Sequence, residues 1–122
     1  MAVVVDASAI VAIMFGEPEG PELAAHLEGE TLLAPWLIDS ELTSAALKRA
    51  RKRPDALPEI LMSLQAALSL PVSRIAVPGA EVFVLATRTG LTAYDASYLW
   101  LSQSRDLELV TLDAELQRAR SA

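Results

Sequence analysis

A chain of 122 residues with 52% hydrophobic and 21% charged side chains has the size and composition of one folded domain, not of a disordered segment. It contains no cysteine, which excludes a disulfide framework and a thiolate metal site, and a histidine-based metal centre or Ser-His-Asp triad would rest on His26 alone. The net charge of −6 excludes a protein that simply coats itself with nucleic acid.

Ala2 to Val5 is a short β-branched run, predicted to be a buried strand. Ser8 to Phe15 follows as a helix that breaks at Gly16, and a second helix is predicted from Pro21 to Glu28. The apolar N-terminal stretch lacks a leading positive charge, is interrupted at Asp6 and is too short to span a bilayer, so a cytoplasmic protein with no membrane partner is expected. Thr31 to Ala34 is the second predicted strand. Pro35 suits the first position of a helix that runs to about Arg53, where Pro54 ends it. A further helix covers Leu57 to Leu70, and Val72 to Val77 is a short third strand. Helices follow from Gly79 to Thr89 and from Thr92 to Ser104. Leu107 to Thr111 is the last strand and Ala114 to Arg120 the last helix.

No linker, repeat or low-complexity stretch divides the chain, so residues 1–122 are expected to form a single domain. Alternating strands and helices imply a three-layer α/β/α fold around a mostly parallel, four-stranded sheet. In such folds functional groups collect at the carboxyl ends of the strands.

Four acids fall on that edge. Asp6 follows the first strand, Asp113 lies just beyond the last, and Asp95 sits in the first turn of its helix. Glu41 is expected in the second turn of the helix that Pro35 starts. Taken singly, each aspartate has a capping explanation: Asp6 or Ser8 for the first helix, Asp113 for the last, and Thr92 with Asp95 as a short capping box. Glu41 fits an innocent role least, because Leu37, Ile38, Ser44 and Ala45 give it a largely apolar helical neighbourhood and no Lys or Arg lies between Val3 and Leu47. Two carboxylates ~5 Å apart at an effective dielectric of about 20 repel by roughly 3 kcal/mol. A cluster of four therefore retains protons or holds a cation. An all-oxygen site suits Mg²⁺ or Mn²⁺, which activates water and stabilises displacement at phosphorus. Ser8 and Thr111, two residues from Asp6 and Asp113, are placed to orient a carboxylate.

The basic residues are unevenly spread. Five of the ten, Lys48, Arg49, Arg51, Lys52 and Arg53, form one block, whereas Glu17 to Glu30 holds five glutamates and no cation. The block is either a grip for a phosphate backbone or a solvated helix end favoured by the macrodipole. Trp36, Tyr94, Tyr98 and Trp100 are either base-stacking residues or, as is commoner at helical spacing, core or dimer contacts.

Val-Val-Val-Asp-Ala-Ser at 3–8, the Glu41 helix after Ala-Pro, Ala-Tyr-Asp-Ala-Ser-Tyr at 93–98 and Val-Thr-Leu-Asp at 110–113 together resemble the PIN-domain ribonucleases, specifically the VapC-type toxins of bacterial toxin–antitoxin pairs. The resemblance spans Val3 to about Arg118. It implies that Asp6, Glu41, Asp95 and Asp113 are the catalytic and metal-holding acids, with one or two Mg²⁺ or Mn²⁺ ions, and that Ser8 and Thr111 support them. It also implies RNA as substrate, a homodimer, and a small antitoxin protein covering the groove. Many relatives have Asn where this chain has Ser44, which can still hydrogen-bond. The final edge strand of many relatives is not expected here. An inactive PIN scaffold that binds RNA or protein without cleavage is the competing reading. Haloacid-dehalogenase phosphatases and response-regulator receivers fit poorly, because each needs acids that this chain lacks around its strand ends.

Overall fold

Val3, Val4 and Val5 point alternately to the two faces of a sheet, and all three are buried, so helices cover both faces. The computed structural model describes residues 1–122. In chain order it contains β1 (Ala2–Val5), α1 (Ala7–Met14), α2 (Gly20–Leu27), β2 (Thr31–Pro35), α3 (Ile38–Lys52), α4 (Leu57–Leu68), β3 (Val72–Ile75), α5 (Gly79–Thr89), α6 (Ala93–Arg105), β4 (Glu108–Val110) and α7 (Ala114–Ser121). A 3-10 turn at Pro54–Ala56 joins α3 to α4. The four strands are ordered β3-β2-β1-β4 and every pairing is parallel. This is the expected α/β architecture, with a sheet that is wholly rather than mostly parallel.

The order has a consequence for function. From β1 the chain steps through β2 to β3 on one side, then returns to lay β4 on the other. The direction of winding therefore reverses between β1 and β4, and a crevice opens outside the carboxyl ends of those two strands. On the helical side, α1 packs against α2, α3 and α4, while α6 packs on β1, β2 and β4 and carries α5 and α7. Ile10, Ile38, Leu42, Leu99, Leu101 and Leu116 fill the interior between helices and sheet. Gly20 permits the close approach of α2 to α1, since a Cβ there would lie 2.6 Å from the Ala12 carbonyl oxygen. Gly90 ends α5 in the left-handed region at φ 75°, a conformation that glycine adopts without steric cost.

Pro35 departs from expectation. It closes β2 rather than opening a helix, and α3 begins three residues later at Ile38. Trp36 donates its N–H to Ile75, so the nitrogen of residue 35 faces the opposite side, where the β1 pairing already ends at Leu33. The missing N–H of proline thus forfeits no ladder bond. The shift brings Glu41 from the second turn of its helix into the first. β3 and β4 also end earlier than expected, at Ile75 and at Val110.

Candidate active site

Asp6 enters the site directly from β1. Its backbone N–H donates to Val110 at 3.0 Å, which ties the ends of β1 and β4 together at the reversal point. The side chain is 5% exposed, and its Oδ2 accepts from Ser8 Oγ at 2.9 Å and from Thr111 Oγ1 at 2.6 Å. Each hydroxyl oxygen is itself held by a backbone donor, Leu112 N–H on Ser8 and Asp113 N–H on Thr111, both at 3.0 Å. Two backbone amides thus fix two hydroxyls, and these fix one carboxylate oxygen. Asp6 stands at the N-cap of α1 but makes no capping bond.

The other three acids arrive on helices. Glu41, in the first turn of α3, accepts through Oε1 from the Tyr98 hydroxyl at 2.7 Å. Asp113 caps α7, its Oδ1 accepting from Leu116 N–H at 3.0 Å. At the start of α6 the cap is Thr92, whose Oγ1 accepts from the Asp95 N–H at 3.1 Å. The Asp95 carboxylate makes no bond in return, so the capping box is half formed. A common rule emerges. Asp6, Glu41 and Asp113 each commit one oxygen to a positioning bond and leave the other free, and Asp95 leaves both free. None of these oxygens is sealed away, because no buried side-chain oxygen lacks a partner.

All four acids and Ser8 line one open groove of about 400 Å³, joined by Glu17, which the sequence marked only as one glutamate of an acidic stretch. None of the four is ion-paired. Burial raises the Glu41 carboxyl above its ordinary value; the Tyr98 bond opposes this, and the charges of Asp6 and Asp95 add to it. Asp95 is raised by burial, then by Asp113, Asp6 and Glu115. Tyr98, fully buried, is raised by burial and by the Glu41 charge, so it stays protonated as a donor. The donors are all oxygens, the kind that hard divalent cations take. No three acidic or histidine side chains are grouped as a ready-made cage. Mg²⁺ does not need one, since it usually keeps several of its waters and takes one or two carboxylates. The set fits such a hydrated ion.

Two expectations need correction, those for Glu41 and Ser44. Glu41 is not without a protein partner: Tyr98, assigned to core or stacking roles, holds it. Ser44 is exposed, makes no side-chain bond and does not line the groove. His26 pairs with Glu108 at 2.9 Å, outside the groove. Trp36 and Tyr94 are exposed, and Trp100 donates to Glu81; none of the three lines the acid groove. Of the basic block, Lys48, Arg49, Lys52 and Arg53 line a second groove, and Arg51 does not. The Asp95–Tyr98 spacing was the available signal for the missed tyrosine, because residues three apart share a helical face.

Comparison with known proteins gives a consistent picture. The family profile described as PIN domain matches residues 3–121. A VapC ribonuclease of Mycobacterium bovis is 34% identical over 114 residues, covering 93% of this chain and 87% of its own length. Ribonuclease VapC12 of Mycobacterium tuberculosis is 31% identical over 117 residues, covering 96% and 91%. The crystal structure of PAE2754 from Pyrobaculum aerophilum superposes with a TM-score of 0.77 at 34% identity, over 98% of this chain and 87% of that one.

Proposed function

The chain belongs to the PIN-domain family, and from that premise we propose that it is a divalent-metal-dependent endoribonuclease, the toxin of a VapBC-type toxin–antitoxin pair. One observation carries the reading: four carboxylates without a counter-cation converge on one groove at the reversal point of the sheet, each with an oxygen free. The names of the relatives direct the reading to RNA.

Asp6, Glu41, Asp95 and Asp113 would hold one or two Mg²⁺ or Mn²⁺ ions, which supply water activation near neutral pH and charge neutralisation at the phosphate. The residues of the chain do the positioning. Ser8 and Thr111 lock Oδ2 of Asp6 and leave Oδ1 without a hydrogen bond. Tyr98 turns Glu41 in the same way, and Leu116 N–H turns Asp113. The openness of the groove suits a polymer that enters from the side. A small antitoxin protein and a second copy of the chain complete the reading. Phe83 and Val84 of α5 and Leu57, Leu61 and Met62 of α4 are exposed apolar side chains of the kind such partners cover. No helix is long and apolar enough to cross a membrane.

The test is RNA cleavage by wild type and Asp6→Asn, with Mg²⁺ and with chelator, combined with mapping of new RNA 5′ ends after induced expression. Asparagine retains an acceptor for the two hydroxyls, so the variant should fold, yet lose at least ~10²-fold in rate, the cost of removing one preorganised electrostatic group. A folded Asp6→Asn protein that cuts at the wild-type rate refutes the mechanism. Wild-type protein that binds RNA equally with or without metal and never cuts it is a scaffold.

A further inference from the structure

A larger groove, of about 800 Å³, abuts the acid groove, and Val11 and Ala45 line both. Its charge is of the opposite sign. Lys48, Arg49, Lys52 and Arg53 line it, against a single carboxylate, Glu59. Positions i, i+1 and i+4 lie on one side of a helix, so Lys48, Arg49 and Lys52 form a stripe on α3 that Arg53 extends at its C-cap and from which Arg51 is excluded. In a chain of net charge −6 this is a local concentration of cations, and Lys48 and Lys52 have no acidic partner.

Arg49 links the two grooves. It donates through Nη2 to Glu17, a residue of the acid groove, and its guanidinium carbon lies 4.6 Å from the centroid of the Phe15 ring. A carboxylate on one side and an aromatic face on the other hold the planar fork in a fixed orientation at the junction. A strand whose reacting phosphate lies among the four acids must leave along a neighbouring surface. Another groove shares Glu17 with the acid site, but it holds no cation. The basic groove complements a phosphate backbone where that one does not.

We propose that the basic groove carries the ribose-phosphate backbone of the RNA strand beyond the scissile bond, with Arg49 gripping the phosphate at the junction and Lys48, Lys52 and Arg53 following it along α3. The apolar side chains of Met14, Phe15 and Ile60 floor the track. This inference rests on the ribonuclease reading and adds the direction in which the substrate lies.

The experiment measures binding of a labelled single-stranded RNA oligonucleotide to the full chain in chelator over a salt series, beside steady-state cleavage with Mg²⁺. Thermal denaturation verifies that each variant is folded. Arg49→Gln and Lys52→Gln should each weaken binding about tenfold, the scale of one hydrogen bond to a charged group. Each should also reduce the slope of log affinity against log salt by about 0.7 and raise KM while kcat is retained. Arg51→Gln removes the same charge from the same helix off the track and should stay near wild type. If wild type cuts RNA but Arg49→Gln and Lys52→Gln keep its affinity, slope and KM, the proposal alone is overturned and the ribonuclease reading stands. Equal weakening by Arg51→Gln also overturns it, since net charge then suffices. A wild-type chain that neither binds nor cuts RNA removes the ribonuclease reading itself.

Discussion

Asp39 and Glu41 stand two residues apart in the first turn of α3, yet they belong to regions with opposite electrostatic character. Asp39 faces β3, where Arg74 donates from Nε to both carboxylate oxygens at 3.0 Å and from Nη2 to Oδ1 at 2.7 Å. The same guanidinium donates to the carbonyls of Val72 and Leu68, so the ion pair fastens α3 to the turn between α4 and β3. Glu41 faces the acid groove and receives one hydroxyl. The helix N-terminus favours both negative charges alike, so the dipole does not separate the two roles. The counter-charge does. Arg74 neutralises Asp39, whereas Tyr98 orients Glu41 and leaves its charge uncompensated. Asp6, held by Ser8 and Thr111, repeats the second pattern. A hydrogen-bonded acid is therefore not by itself a sign of function; orientation without neutralisation is the more telling arrangement.

Removing the ion pair should produce the larger change, and it should be a change in stability. In Asp39→Asn, Arg74, whose side chain is only 15% exposed, keeps its two carbonyl acceptors but loses its counter-charge. The carboxylate is 38% exposed, so solvent already screens part of the attraction. A loss of about 2 kcal/mol is expected, seen as a thermal midpoint lowered by roughly 8 °C. RNA cleavage by the folded variant should match wild type. Activity lost at unchanged stability would place Asp39 in the site and dissolve the contrast.

Tyr98→Phe tests the other region. The ring stays, so packing is retained, but Glu41 loses the one bond that lowers its pKa. Its carboxyl should rise further, and the acid limb of the pH–rate profile should move to higher pH. Near neutrality the rate should fall by about tenfold, the lower end of what outer-shell partners contribute at metal sites. An unshifted profile would show that the hydroxyl does not govern the ionisation of Glu41.

The parts of this arrangement that were legible in sequence are those that depend on local pattern. Val3–Val5 reads as a strand because β-branched residues buried on both faces leave no alternation, and Asp6 and Asp113 are placed by following strand ends. Tyr98 and Glu41 are 57 residues apart, and Arg49 and Glu17 are 32 apart. Tertiary packing creates those pairs, and no local spacing encodes them. Pro35 misled because its fixed φ and missing N–H suit a helix start as well as a strand end; which applies depends on where β1 stops pairing. Asp113 shows that capping and function were a false alternative. One oxygen caps α7 while the other stays free, and a residue-by-residue choice between roles misses that a carboxylate has two.

The smallest expected effect is also the one with the least intuitive sign. Burial and the charges of Asp6 and Asp95 raise Glu41 above its ordinary 4.5, and Asp95 is likewise raised above 3.8. A carboxyl with a raised folded-state pKa contributes stability that is complete below its ordinary value, where it is protonated in both states, and that is lost as pH rises through the raised one. In the absence of metal, these two acids should therefore weaken the fold on the neutral side of their titration. Glu41→Gln removes a charge yet keeps an oxygen to accept from Tyr98, so it should stabilise the metal-free protein at neutral pH, by less than about 1 kcal/mol because solvent screens this half-buried carboxylate. The gain should vanish below the ordinary 4.5, where wild type is already neutral at this position. Mg²⁺ should also shrink it, because an ion bound to the folded state stabilises the four-acid protein by mass action more than the variant. Thermal denaturation of both proteins across this pH range, with chelator and with Mg²⁺, measures each limb. A variant less stable than wild type in chelator at neutral pH would mean that Glu41 is compensated as fully as Asp39, and the two regions would no longer differ in kind.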